Sequence, residues 1–307
     1  MTRRMQHSNP SMLLHIGMAD ACLVATEYCR DAETIRRTAA MQRYVKHPTH
    51  LQIPGCYSDD TEMSSANTKV LTTFDPPYTR LMFANAYVEE FAFCGRRKGY
   101  AQNFYRFLCT VHTGQEFLDR CEGKSDKNGG CMRAVPFGVF KTPKEAMHWA
   151  AFQASLTHDS PPGLFSARLT ALLSHFSLYE DDGFEKFAVY AKRHLSAEEW
   201  ETYGYIFSTP WRGQVKRRGD VPVSIATVHA AHYILSHANS LMEMLQMTIH
   251  FGGDTDSVAA IVWGVASARF QKEKLPEFLE RDLEQGDPRT GAVYLKALGT
   301  KLMERFA

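Results

Sequence analysis

Two short acidic clusters are the candidate chemistry of this chain. The first is Tyr57-Ser58-Asp59-Asp60-Thr61 and the second is Gly252-Gly253-Asp254-Thr255-Asp256-Ser257. Each sets adjacent or alternate aspartates among hydroxyl side chains, directly ahead of a segment with helical periodicity. Either cluster alone reads as a helix cap, because Asp, Ser and Thr are preferred N-caps and a helix N-terminus favours negative charge. Capping uses one side-chain oxygen per helix, however, and each cluster offers a surplus. Aspartates gathered beside an apolar core are costly unless cations neutralise them. Hard oxygen ligands of this kind suit Mg2+ or Mn2+. Two such clusters meeting in space would hold two ions, which would orient a substrate diol and activate a water.

The elements that must bring the clusters together are helical. Residues 144–156 follow Thr142-Pro143 and include Glu145, a capping box with proline in the first turn. Residues 164–176 repeat apolar side chains at three- and four-residue steps, and Ser196-Ala197-Glu198-Glu199 is a second capping box. Residues 225–249 are nearly uncharged and apolar on most sides, which predicts one long central helix. Residues 258–270 are rich in Ala, Gly and Ser, so helices can approach closely there, and Pro276 starts a last amphipathic pair ending near Phe306. No run of alternating strands and no fixed-period repeat occurs. Turn-forming residues gather at 48–55, 124–130, 160–163 and 208–223, none of them long enough for an interdomain linker. The expectation is a single all-α domain over residues 1–307, with a flexible N-terminus at 1–11.

Composition narrows the function classes. Lys and Arg number 35 against 34 Asp and Glu, a net charge of +1 that excludes polyanion binding by bulk charge. Hydrophobic residues at 44% and charged ones at 22% exclude a disordered chain. The seven cysteines are odd in number and form no C-x-x-C pair, which fits a reducing compartment better than disulfides or a zinc ribbon. Arg3 and Arg4 precede an apolar stretch that His15 and Asp20 interrupt, so a signal peptide is not expected, and no apolar run nears the roughly 18 residues of a membrane span. A cytoplasmic protein without membrane contact is the expectation.

Further motifs accompany the acidic clusters. Asp20-Ala21 is followed by Glu27-Tyr28; Asn128-Gly129-Gly130-Cys131-Met132-Arg133 is followed by Pro136 and Gly138; and Leu156-Thr157-His158 comes after these. Alone, the second reads as a turn before a buried helix and the third as a capping or core histidine. Together, and in this order, they resemble the ADP-ribosylglycohydrolase family, which includes the dinitrogenase reductase-activating glycohydrolases and the ADP-ribosylarginine and ADP-ribosylserine hydrolases. The family's T-D-D-T appears here as Ser58-Asp59-Asp60-Thr61, its G-G-D-T-D-T as Gly252 to Ser257, its G-N-G-x-A-M-R as Lys127 to Arg133, and its L-T-H without change. Glu62 stands where glutamine is usual, and Ser replaces Thr at both hydroxyl positions, which keeps the oxygen. The resemblance spans roughly residues 13 to 306.

The resemblance implies hydrolysis of the glycosidic bond between ADP-ribose and a modified macromolecule, most commonly at a protein arginine. It implies two Mg2+ or Mn2+ ions held by Ser58, Asp59, Asp60, Asp254, Asp256 and Ser257. It places Asn128, Gly129, Gly130, Met132, His158 and Gly253 at the ADP-ribose, and Glu27 as a movable gate over it. Glu27 and Asp60 are both candidates for the proton transfer. The natural partner would be an ADP-ribosylated protein, and the role either antagonism of an ADP-ribosyltransferase toxin or the off-switch of a regulatory modification. Alternatives are a non-catalytic relative that binds ADP-ribose or a partner, and a hydrolase of another linkage, to serine or to nucleic acid. His229 and His232 share a helix face but lack an H-E-x-x-H glutamate and read as structural. Basic residues 95–99, leading into Tyr100 and Phe104, read as a solvated loop near the pocket; nucleic acid would enter only as a modified substrate. Lys216-Arg217-Arg218 reads as a plain surface loop.

Overall fold

The acidic clusters lie at helix N-termini because of the residues around them. In the computed structural model, which describes residues 4–307, the Ser58 hydroxyl accepts from the Asp60 N–H at the start of one helix. The second cluster sits in a turn that opens another. Among the described residues, nine longer helices carry the architecture: α1 (Met12–Leu23), α2 (Asp59–Thr73), α3 (Arg80–Phe93), α4 (Pro143–Ala154), α5 (Pro161–Tyr179), α6 (Val223–His237), α7 (Leu241–Phe251), α8 (Thr255–Ala266) and α9 (Ala292–Phe306). Shorter helical turns join them, and among the described residues β-structure is limited to two isolated bridges, Lys124 with His158 and Val215 with Gly253.

Helices α1 and α8 form the centre. Every residue of α1 but His15 is buried, and every residue of α8 is buried. A helix apolar on all sides belongs inside the fold. They can pack closely because Gly264 presents no side chain: a Cβ there would come within 2.6 Å of Ile16 Cγ1. Around this pair, α2 and α9 pack on α1, α6 and α7 pack on α8, and α4 lies along α5. Trp263 of α8 is fully buried and donates its indole N–H to the Leu241 carbonyl at 2.8 Å.

Two expectations change. The stretch 225–249 is two helices, since Ala238 turns extended, the Ser240 hydroxyl accepts from the Glu243 N–H, and Glu243 accepts from the Asn239 N–H. Polar capping at Asn239-Ser240 outweighs the apolar periodicity that runs through it. Of the expected flexible segment 1–11, residues 1–3 lie outside the described residues, but Met5 is buried and Asn9 donates to the Ser267 hydroxyl at 2.7 Å. All seven cysteines are free thiols. No helix of the described residues is long and apolar enough to cross a membrane.

Candidate active site

Three helix ends meet at one place: the C-terminal end of α1 and the N-termini of α2 and α8. Thr255 ties two of them together by donating to the Leu23 carbonyl at 2.9 Å and pairing with the Thr26 hydroxyl at 2.9 Å. Asp20, buried in apolar α1, ties in the third. Its carboxylate accepts from the Ser58 N–H at 2.9 Å, the Thr61 N–H at 3.1 Å and the Thr61 hydroxyl at 2.6 Å. The positive N-terminal ends of α2 and α8 thus face the same carboxylates and partly offset their repulsion.

The carboxylates form two overlapping groups. Oxygens of Asp20, Asp60 and Asp256 lie within 4.8 Å of one another, and so do those of Glu27, Asp254 and Asp256. Asp256 belongs to both. Buried oxygens Asp60 Oδ1 and Asp256 Oδ1 have no hydrogen-bond partner among the described residues. Burial, reinforced by the neighbouring carboxylates, holds Asp59, Asp60 and Asp256 well above the usual range. Burial likewise pushes Asp20 up to about 6 and Glu27 up to about 8, with Asp254 adding to the second. Orphaned buried oxygens among mutually repelling carboxylates fit hard divalent cations, whose charge would remove the repulsion and whose coordination would use those oxygens.

Of these carboxylates, Glu27, Asp60, Asp254 and Asp256 line a 740 Å³ cavity, and Asp20 lies buried behind its lining. Asp59, Met63, Tyr100, Phe104, Asn128, Gly129, Met132, His158 and Ser257 also line it. The residues expected at the metals are therefore not equivalent. Asp60, Asp254 and Asp256 enter the carboxylate groups. Asp59 lines the cavity outside both groups, Ser58 is spent in donating to Asp60 Oδ2 at 3.0 Å, and the Ser257 hydroxyl lies 4.0 Å from Met132 Sδ. Nor do all the expected substrate residues face the cavity. Gly130 packs on Ala154, and its carbonyl accepts from Gln153. Gly253 packs on Val215, where an added Cβ would lie 2.3 Å from the Val215 oxygen, and its φ of +86° is one that only glycine adopts readily. Gly253 therefore shapes the turn that presents Asp254.

Residues to which the sequence assigned no role in the site complete it. Tyr28 donates its hydroxyl to Asp254 Oδ2 at 2.7 Å. The Arg217 guanidinium lies over the Tyr28 ring at 4.4 Å and 3.8 Å from Glu27 Oε1, so the loop expected to be plain surface reaches the cavity. His50 approaches Glu27 Oε2 at 3.3 Å. Arg97, expected in solvent, is mostly buried: it lies 2.8 Å from Glu62 Oε1, bonds Glu284 and stacks on Tyr57 at 4.7 Å. This pair docks the loop carrying Lys98, Gly99 and Tyr100 against the cavity. His229 and His232 are structural in position, with His229 Nε2 2.8 Å from the Thr209 carbonyl. Asp20 left a legible signal as an aspartate interrupting an apolar stretch, and Tyr28 another as the neighbour of Glu27.

The chain is similar to known proteins in sequence and, separately, in fold. It is 24% identical over 277 residues to the ADP-ribosylhydrolase ARH3 of Bos taurus, covering 75% of this chain and 74% of that protein. It is 25% identical over 157 residues to the ADP-ribosylarginine hydrolase Tri1 of Pseudomonas putida (strain GB-1), covering 50% of this chain and 41% of that protein. A solved structure described as an ADP-ribosylglycohydrolase-related protein complex superposes with a TM-score of 0.74 at 18% identity, over 98% of this chain and 99% of the other, which establishes the shared fold. The ADP-ribosylglycohydrolase family model matches residues 13–306. With that match running through every helix that builds the acidic cavity, the chain belongs to the ADP-ribosylglycohydrolase family and is a glycosidic-bond hydrolase.

Proposed function

We propose that this protein removes ADP-ribose from arginine side chains of modified proteins, with Asp20, Asp60, Asp254, Asp256 and Glu27 holding two Mg2+ or Mn2+ ions. The observation that carries the reading is the pair of carboxylate groups sharing Asp256, with orphaned oxygens at the wall of a cavity of suitable chemistry. Bound there, divalent ions would supply charge neutralisation, a grip on vicinal hydroxyls and a lowered pKa for a coordinated water.

The chain's own residues divide the remaining work. Asp60 is buried and bonded to Ser58, whereas the Glu27 side chain keeps about a fifth of its surface exposed at the cavity. That difference favours Glu27 over Asp60 for moving a proton through a carboxylate oxygen, with His50 and Arg217 holding it from either side. Asp59 lies outside both groups and lines the cavity, where it would pair with the departing guanidine. A cationic leaving group suits an acidic wall, and Tri1, a relative over half the chain, is an arginine-linkage hydrolase by name. The aromatic rings of Tyr100 and Phe104, which also line the cavity, would help exclude water from it. In a reducing cytoplasm such an activity would reverse a regulatory modification or the action of an ADP-ribosyltransferase toxin.

The test is incubation with defined ADP-ribosylarginine, ADP-ribosylserine and ADP-ribosylated nucleic acid, with Mg2+ or Mn2+, measuring free ADP-ribose. Release from the arginine conjugate alone is expected. Release only from another conjugate would move the linkage, and release from none would favour a binding role.

A further inference from the structure

The Asn128–Gly129 corner of the cavity, lined by His158, contains a chain of hydrogen bonds whose direction is fixed by chemistry. Arg133 is fully buried and is a donor only. Its Nε donates to Gln153 Oε1 at 2.6 Å and its Nη2 to the Thr157 hydroxyl at 2.7 Å. Its guanidinium lies over the Tyr87 ring at 4.6 Å. Thr157 Oγ1 in turn lies 2.7 Å from His158 Nδ1. A hydroxyl that already accepts from arginine has one proton left to place, and Nδ1 is the acceptor beside it. The reverse arrangement, with the proton on Nδ1, would leave a buried hydroxyl hydrogen without a partner, which is costly.

We infer that Arg133 and Thr157 are positioning residues that fix His158 with its proton on Nε2, directed over Gly129 as a hydrogen-bond donor to an anionic oxygen of the ligand. The space over Gly129 is the place for that oxygen. A Cβ on Gly129 would stand 3.0 Å from Nε2 and 2.7 Å from Cε1 of His158. Asn128 lines the same corner and is nine-tenths buried, and its Nδ2 has no acceptor among the described residues. Two side-chain donors backed by a buried cation call for an acceptor-rich group, and on a nucleoside diphosphate sugar that is the diphosphate. Burial, helped by Arg133, lowers His158 to about 3, so the ring stays neutral and its tautomer matters. The diphosphate assignment rests on the ADP-ribose reading above; the tautomer does not.

The experiment uses full-length protein labelled with 15N-histidine, without divalent ions, compared with Thr157→Val and Thr157→Ser. Long-range 1H–15N spectra report the tautomer, with His158→Gln identifying the signal. The melting temperature is measured on the same samples, and ADP-ribose affinity on the same proteins after saturating Mg2+ is restored. The expected result is an Nε2–H His158 in the wild type and in Thr157→Ser. In Thr157→Val the tautomer changes or mixes, and affinity falls about tenfold, the loss of one charge-assisted hydrogen bond, in protein that still melts cooperatively. An Nδ1–H wild type, or a Thr157→Val protein that keeps both tautomer and affinity, would overturn the inference. A wild type with the expected tautomer that binds no ADP-ribose would sink the diphosphate assignment and the functional reading while supporting the relay.

Discussion

Acid should destabilise this protein through His158, and the size of the effect follows from its surroundings. The ring is buried beside the Arg133 cation, and these two causes lower it from an ordinary 6.5 to about 3. Between those values the unfolded chain binds a proton that the folded chain refuses. Stability therefore falls as pH falls through that window, and is fully retained above it. One such site costs about 1.4 kcal/mol per pH unit, so moving from pH 6.5 to pH 4 should remove about 3 kcal/mol. His158→Asn keeps an acceptor for Thr157 and cannot be protonated. Urea unfolding at a series of pH values, with chelator present, should give a wild-type curve that drops more steeply than the variant's. Other histidines lowered by their surroundings, half-buried His50 and buried His232, both to about 4, contribute equally to both proteins and cancel in the difference. Parallel curves would refute the reasoning, since His158 would then be no harder to protonate in the folded chain than in the unfolded one.

Three further outcomes are expected. Gly129→Ala places a methyl against His158 and should weaken ADP-ribose binding at least about tenfold by calorimetry while leaving the melting temperature within a few degrees; unchanged affinity would remove that corner from the site. Arg97→Met strips the cation from Glu62 and Glu284 and should cost about 3–5 kcal/mol in chemical unfolding, because two buried carboxylates lose their partner; wild-type stability would contradict the buried pair. Arg217→Ala, at a side chain 65% exposed, should lower kcat/KM by no more than about tenfold and less at high salt, and a loss beyond a thousandfold would place Arg217 in the chemistry itself.

The parts of the site legible in the sequence were those encoded locally. Ser58 to Asp60 and Asp254 to Asp256 announce themselves as surplus oxygens at helix starts, and the helices they open are where periodicity placed them. The all-α fold followed from the same periodicity. What stayed hidden depends on contacts across the chain. Arg217 reads as one of three basic loop residues until Val215, pairing with Gly253, draws that loop over Tyr28. Arg97 reads as solvated until Glu62 and Glu284, 35 and 187 positions away, enclose it. The break at Ala238 was missed for a different reason. Apolar spacing continues through it, and only the short polar pair Asn239-Ser240 marks the new helix start. Gly253 shows a motif glycine whose task is backbone geometry, a distinction that spacing alone does not carry.

The central claim is that carboxylates sharing Asp256 hold divalent cations for glycoside hydrolysis, and single-turnover release of ADP-ribose from ADP-ribosylarginine tests it most directly. Wild type and Asp256→Asn would be compared at saturating Mg2+ or Mn2+, each also with chelator, alongside melting temperature against added ion. The account predicts metal-dependent release by the wild type, a rise in its melting temperature with ion, and a loss of about a thousandfold or more in the variant together with that rise. Wild-type release from Asp256→Asn, or release by the wild type that chelator leaves untouched, would contradict it.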